Sequence, residues 1–117
     1  MLSVFGTTRV LVATVPVDLR GSFNRLYSVV VEQLKDDPLS GRLFVFTNRR
    51  HNRLKVLSWD GSGLWVCAKR LERGRFTWPV SDQGHVSLRG EEFSALIHGL
   101  VVHQSRLVST VKLFQEV

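Results

Sequence analysis

The sequence predicts an α+β fold: one domain in which an antiparallel β-meander packs with one N-terminal helix and a short C-terminal helix. Three observations predict it. Apolar residues recur at helical spacing between Asp18 and Leu34, β-branched and aromatic runs separated by turn formers fill 42–78, and a second helical pattern opens at Glu91. With 117 residues, 44% of them apolar and 22% charged, the chain is sized for a single domain, 1–117, with a real core. No repeat, low-complexity tract or linker divides it.

Val10 to Thr14 is apolar and β-branched, a strand that Pro16 stops. From Asp18 the pattern turns helical. Phe23, Leu26, Tyr27, Val30 and Leu34 share one apolar face, with Asp18 or Ser22 as the N-cap. Asp36-Asp37-Pro38 ends the helix, because the residue before proline avoids helical geometry. Strands are then expected over Arg42–Thr47, Arg53–Trp59, Leu64–Leu71 and Arg75–Trp78, which make the meander. His85–Leu88 fits one more short strand, and Glu91–His98 a short helix burying Phe93, Leu96 and Ile97, with Gly99 as its C-cap. The tail from Leu100 is β-branched and mildly amphipathic; helix, strand and a partner-binding segment (101–117) all fit it.

Charge is segregated along the chain. Arg42 to Arg75 holds nine Lys or Arg against Asp60 and Glu72, a formal +7, while all other residues together carry seven bases and eight acids, or −1. A near-neutral body with one strongly cationic region points to a polyanionic partner, most often nucleic acid.

The turn at Asp60-Gly61-Ser62-Gly63 sets Trp59 opposite Leu64, whether the loop counts two residues or four. Alternation then places Leu54, Val56, Trp65 and Cys67 on one face, read as core. Arg53, Lys55, Leu57, Trp59, Leu64, Val66 and Arg70 fall on the other. Arg53 faces Arg70, and a tight turn at Glu72-Arg73 is expected to bring Arg75 alongside, making a row of three guanidinium groups. Like charges opposed on a sheet are destabilising, so the row points to an anion site, with Arg49 and Arg50 on a hairpin loop adding mobile cationic reach. Solvated edge charges are the structural alternative for any one arginine; the cluster as a whole favours binding. Trp59, Trp65 and Trp78 are assigned to the core ahead of base stacking.

Three stretches then carry a family resemblance: Asp36-Asp-Pro-Leu-Ser-Gly-Arg-Leu-Phe-Val-Phe-Thr-Asn-Arg-Arg50; Arg53-Leu-Lys-Val-Leu-Ser-Trp-Asp-Gly-Ser-Gly-Leu64; and Lys69-Arg-Leu-Glu-Arg-Gly-Arg-Phe-Thr-Trp-Pro79. Together with Pro16-Val-Asp-Leu-Arg20, they resemble the TnpB accessory proteins of bacterial insertion sequences of the IS-sixty-six type, over roughly residues 9 to 100. The resemblance implies a small protein encoded beside a separate transposase and assisting transposition, distinct from the far larger RNA-guided nucleases that share the name TnpB. The family often has Gly-Pro at Val15-Pro16 and Met at Leu19.

Catalytic chemistry finds little support. A transposase of the usual kind clamps two metal ions between three carboxylates. Here Asp18 reads as a helix cap, Asp60 as a turn residue, and Asp36, Asp37, Glu91 and Glu92 as helix-boundary residues. His51, His85, His98 and His103 lack paired cysteines, and His98 and His103 do not share a helix face, so no metal or cofactor is expected. No Walker loop or nucleophile motif occurs.

The expected protein is therefore a non-enzymatic accessory of DNA transposition, binding DNA, the element's ends or a strand-exchange intermediate, through Arg49, Arg50, Arg53, Lys55, Lys69, Arg70, Arg73 and Arg75. The alternative is a protein–protein adaptor docking on the transposase through Leu57, Trp59 and the basic row, without touching DNA. A third possibility, a small nuclease, predicts metal-dependent cleavage. Self-association through an edge strand or the tail stays open. No apolar segment approaches a membrane span, no secretory signal is expected, and Cys67, the sole cysteine, fits a reducing compartment; the expected location is cytoplasmic.

Overall fold

The computed structural model of the protein describes residues 9–99. Its elements in chain order are β1 (Val10–Ala13), α1 (Phe23–Glu32), β2 (Leu43–Thr47), β3 (Arg53–Trp59), β4 (Leu64–Arg70), β5 (His85–Leu88) and α2 (Gly90–Ile97). The strands form one sheet in the order β4-β3-β2-β1-β5. β2, β3 and β4 are the expected antiparallel meander. β1 lies parallel to β2 and antiparallel to β5, so the sheet is mixed. Parallel neighbours need a long crossover, and the segment containing α1 supplies it.

Both faces of the sheet are covered. On one, Leu11, Phe44, Phe46 and Leu57 pack against Leu26, Val29, Val30 and Leu34. On the other, Val12, Val45, Leu54 and Val56 meet Phe76, Trp78, Phe93 and Leu96. Each of these large side chains contributes roughly 1.5–3 kcal/mol of hydrophobic stabilisation. Leu57, placed by sequence on a mixed surface, is 0% exposed beneath α1. Near the hairpin turn the second face of the ribbon is core as well.

The stripe on α1 is rotated from the one expected. Leu26, Val29 and Val30 are buried, whereas Phe23 and Tyr27 are 45% and 36% exposed. Val29 takes the inward position because α1 meets the sheet along the line through Leu26 and Val30, leaving Phe23 and Tyr27 on its flank. The helix ends before the aspartates: Asp36 N–H donates to the Val30 carbonyl (3.1 Å) across Lys35, which sits at φ 55°. That seven-to-one bond, one residue longer than the six-to-one bond of a Schellman motif, satisfies a carbonyl of the last turn as the chain reverses at Lys35. Ser22 is the N-cap residue, although its side chain makes no capping bond.

Arg75–Trp78 is not a ladder strand beside β4. The chain turns at 72–74 and passes beneath the sheet, where Phe76 N–H donates to the His51 carbonyl (2.7 Å) and the Trp78 indole Nε1–H to the Ala13 carbonyl (2.9 Å). Both rings are fully buried. Alternating large apolar residues record burial and not which strand lies next door. α2 begins one residue earlier than expected, with Glu92 Oε1 accepting the Arg89 N–H (2.7 Å), and Gly99 follows it in the left-handed region at φ 79°. The tail 101–117 lies outside the described residues.

Candidate nucleic-acid interface

The β3–β4 register places Arg53 directly opposite Arg70, with Lys55 two residues along the same face. At this end α1 no longer covers the sheet, and a groove of about 810 Å³ opens. Arg49, Arg50, Arg53, Lys55 and Arg70 line it on one side and the 16–20 segment on the other.

The loop that carries Arg49 and Arg50 is built around one side chain. Asn48 Oδ1 accepts the N–H groups of Asn52 and Arg53 (3.1 Å each), and Asn48 Nδ2 donates to Asn52 Oδ1 (2.7 Å). Thr47 Oγ1 donates to the Arg53 carbonyl (2.9 Å), and His51 adopts φ 58° to close the turn. Arg49 and Arg50 therefore project, exposed, from a loop braced by these bonds. The facing wall is anchored by Val17 N–H, which donates to the Thr47 carbonyl (2.9 Å).

That wall adds a further cation, Arg20. Arg20 grips Asp18 through Nε and Nη2 (2.7 Å at the shortest), and its backbone N–H bonds the same carboxylate. The side-chain hydrogen bonds from Arg20, reinforced by its backbone N–H, hold the Asp18 carboxyl well below the usual range and raise Arg20 in return. Asp18 is thus the partner of Arg20 and not a helix cap. Pro-Val-Asp-Leu-Arg was the available signal, but sequence alone did not show which loop the arginine would face. Lys55 Nζ donates to the Gly21 carbonyl (3.0 Å), tying the walls together. Gly21 is required there: a Cβ would come within 2.5 Å of Arg25 Cβ.

Not every expected cation joins. Lys69 borders the groove, but its ammonium goes to the Ile97 carbonyl at the end of α2 (2.6 Å). Arg73 and Arg75 lie outside the groove lining, since the chain leaves the sheet after Arg70. The row of three guanidinium groups is a row of two. Arg75 instead acts on His51, whose pKa is lowered first by burial and then by that positive charge. Arg42 pairs with Asp36 (2.6 Å) and Arg70 with Glu72 (3.1 Å); Arg49, Arg50, Arg53, Arg73 and Arg75 have no carboxylate partner among the described residues.

Of the tryptophans, Trp78 is core, packed on Phe76 and His51 at 6.2 Å each. Trp65 is 46% exposed, held by its indole Nε1–H to Asp60 Oδ2 (2.7 Å). This bond and those from the Ser62 and Gly63 N–H groups lower the Asp60 pKa. Among the described residues no group of His, Cys, Asp or Glu is placed to hold a metal ion, and no helix is long and apolar enough to cross a membrane.

Fold and groove together define a small basic α+β domain with a cationic cleft between a hairpin loop and the segment preceding its first helix. Residues 8–107 match the family described as IS66 Orf2 like protein, and the chain belongs to that family, the accessory proteins of IS66 insertion elements. It is similar to the Sinorhizobium fredii protein y4jC, at 44% identity over 79% of each chain. It is also similar to y4hO of the same organism, at 41% identity over 86% of this chain and 87% of the relative. No solved structure matches it.

Proposed function

We propose that this protein assists transposition without catalysing it, by holding the phosphate backbone of nucleic acid, at the element's DNA ends, in the groove between residues 16–20 and 48–55. The observation that carries this is the Arg53–Arg70 pair: two like charges set directly opposite on neighbouring strands, beside Arg49, Arg50 and Lys55. Such a pair costs stability unless an anion lies across it. Phosphate contacts position a protein without reading sequence, which suits a groove whose lining, among the described residues, includes no aromatic side chain for base stacking.

The test is a gel shift with terminal inverted repeats and scrambled duplex across a salt series. If about five cations touch phosphate, the log of affinity falls against log salt with a slope near −4 to −5. Arg49→Glu with Arg50→Glu weakens binding and flattens the slope. Binding indifferent to salt and to these changes would refute the proposal. A complex with purified transposase that survives nuclease treatment and is lost in the same variant would assign the groove to a protein partner instead.

A further inference from the structure

β4 is a sheet edge: it pairs with β3 on one side, and among the described residues no strand lies beyond it. The direction of its free backbone groups can be counted from both ends. At one, Asp60 N–H donates to the Gly63 carbonyl (3.1 Å); at the other, Leu71 N–H donates to the Asn52 carbonyl (2.8 Å). Hydrogen-bonded and non-hydrogen-bonded pairs alternate in an antiparallel ladder. Both counts agree across the unbroken register. Trp65, Cys67 and Lys69 turn their N–H and C=O groups toward β3, and Leu64, Val66, Ala68 and Arg70 turn theirs outward.

We propose that this edge pairs with β4 of a second copy of the chain, antiparallel about a two-fold axis at Cys67. In that register Val66 exchanges hydrogen bonds with Ala68 of the second copy, and Leu64 with Arg70, so all four outward-facing residues of each strand are satisfied. Centring the pair on Val66 or Ala68 satisfies only three. Turning one copy face-over about a two-fold makes the strands parallel and sets each residue opposite its own copy, outward against outward, whereas a parallel ladder bonds outward residues set opposite inward ones. Charge agrees with the same register. Arg70 lies opposite Leu64 and Lys69 opposite the half-exposed Trp65, and no like charges are opposed.

Exposed basic residues commonly guard an edge against pairing. Here both are drawn away: the Lys69 ammonium is bonded to Ile97 and Arg70 to Glu72. The edge is also long, seven residues without proline. The axis runs perpendicular to the sheet, so both grooves open on the same side, with the two Arg70 positions six residues apart along the strands, or roughly 20 Å. The pairing stands whether or not those grooves bind DNA.

Sedimentation equilibrium of the full chain, at salt high enough to screen the +6 charge on each copy, should give twice 13.3 kDa at micromolar concentrations. Ala68→Pro removes an outward N–H that β3 does not use, so it should return the monomer mass with an unchanged circular dichroism spectrum. Cys67 of the two copies would face each other at a non-hydrogen-bonded position, about 4.5 Å between Cα atoms, within disulfide reach. Mild oxidation of the unaltered protein should therefore yield a reducible dimer, which tests the register even if the proline variant misfolds. A monomer across the concentration range with no oxidised dimer would overturn the proposal. So would a folded Ala68→Pro variant that stays dimeric, or a monomer whose Val66 and Ala68 amides resist hydrogen exchange, since the edge would then be filled from within the chain.

Discussion

Replacing Arg53 by Gln separates a like-charge pair held at a cost from an arginine that supports the fold, because the two roles move stability in opposite directions. Arg53 and Arg70 are directly opposed, both exposed, and at a non-hydrogen-bonded pair where side chains approach most closely. Two unit charges about 5 Å apart in water repel by about 0.8 kcal/mol, and physiological salt reduces this further. Glu72 offsets part of the Arg70 charge, but that pair is itself largely solvated, at 59% and 76% side-chain exposure. The net relief lies at the low end of the range for cross-strand charge pairs, about 0.2–0.5 kcal/mol. For a domain of this size that raises the melting temperature by roughly 1–4 °C. The backbone of Arg53, bonded to Asn48 and Thr47, is untouched by the change. Melting curves at low and high salt provide the assay: the gain should be present at low salt and shrink as salt rises. In parallel, Gln at 53 should lower DNA affinity and reduce the salt slope by about one. A variant that melts lower than the parent, or whose gain ignores salt, would show that Arg53 contributes structurally and that the pair is not held at a cost.

Further outcomes follow from single contacts. Trp78→Phe deletes the donor to the buried Ala13 carbonyl and part of a fully enclosed ring; it should cost about 2–4 kcal/mol in denaturant unfolding. Asp60 has its folded pKa depressed by the Trp65 indole and loop N–H bonds, so the stability it adds is complete above the ordinary carboxylate value and is lost only as pH falls below it toward the folded one. Asp60→Asn should remove that acid-side dependence and shift the Trp65 indole N–H resonance. His51, held neutral by burial and then by Arg75, adds stability that is fully present above its ordinary value and lost as pH falls through the lowered one. Arg75→Gln should raise the His51 pKa part of the way back, read by proton NMR of the ring.

The groove was legible where chemistry depends on neighbours in sequence. A short turn after Trp59 fixes the hairpin register, and from it the Arg53–Arg70 opposition follows without any knowledge of the rest of the chain. Arg49 and Arg50 sit beside a turn and had nowhere to go but the surface. What failed to transfer was direction beyond the hairpin. Arg75 was placed beside Arg70 by extending the meander, whereas burial of Phe76 and Trp78 draws the chain under the sheet. Charge alone puts Lys69 among the binding residues, yet alternation points it toward α2, where a carbonyl at the helix end takes its ammonium. Arg20 is invisible to local pattern because its closeness to the 48–55 loop is a contact between segments distant in sequence.

Local rules settled most of the helices, strands and turns, though not the path of Arg75–Trp78, and the chain's own pattern gave its family and its cationic segment, since both are written in consecutive residues. The insertion of β1 beside β2, the covering of both sheet faces, and the selection of Arg20, Arg49, Arg50, Arg53, Lys55 and Arg70 for one groove belong to the tertiary structure. Burial forces those choices: side chains that must leave water decide where each segment passes, and the charged residues are carried to whichever surface that packing leaves open.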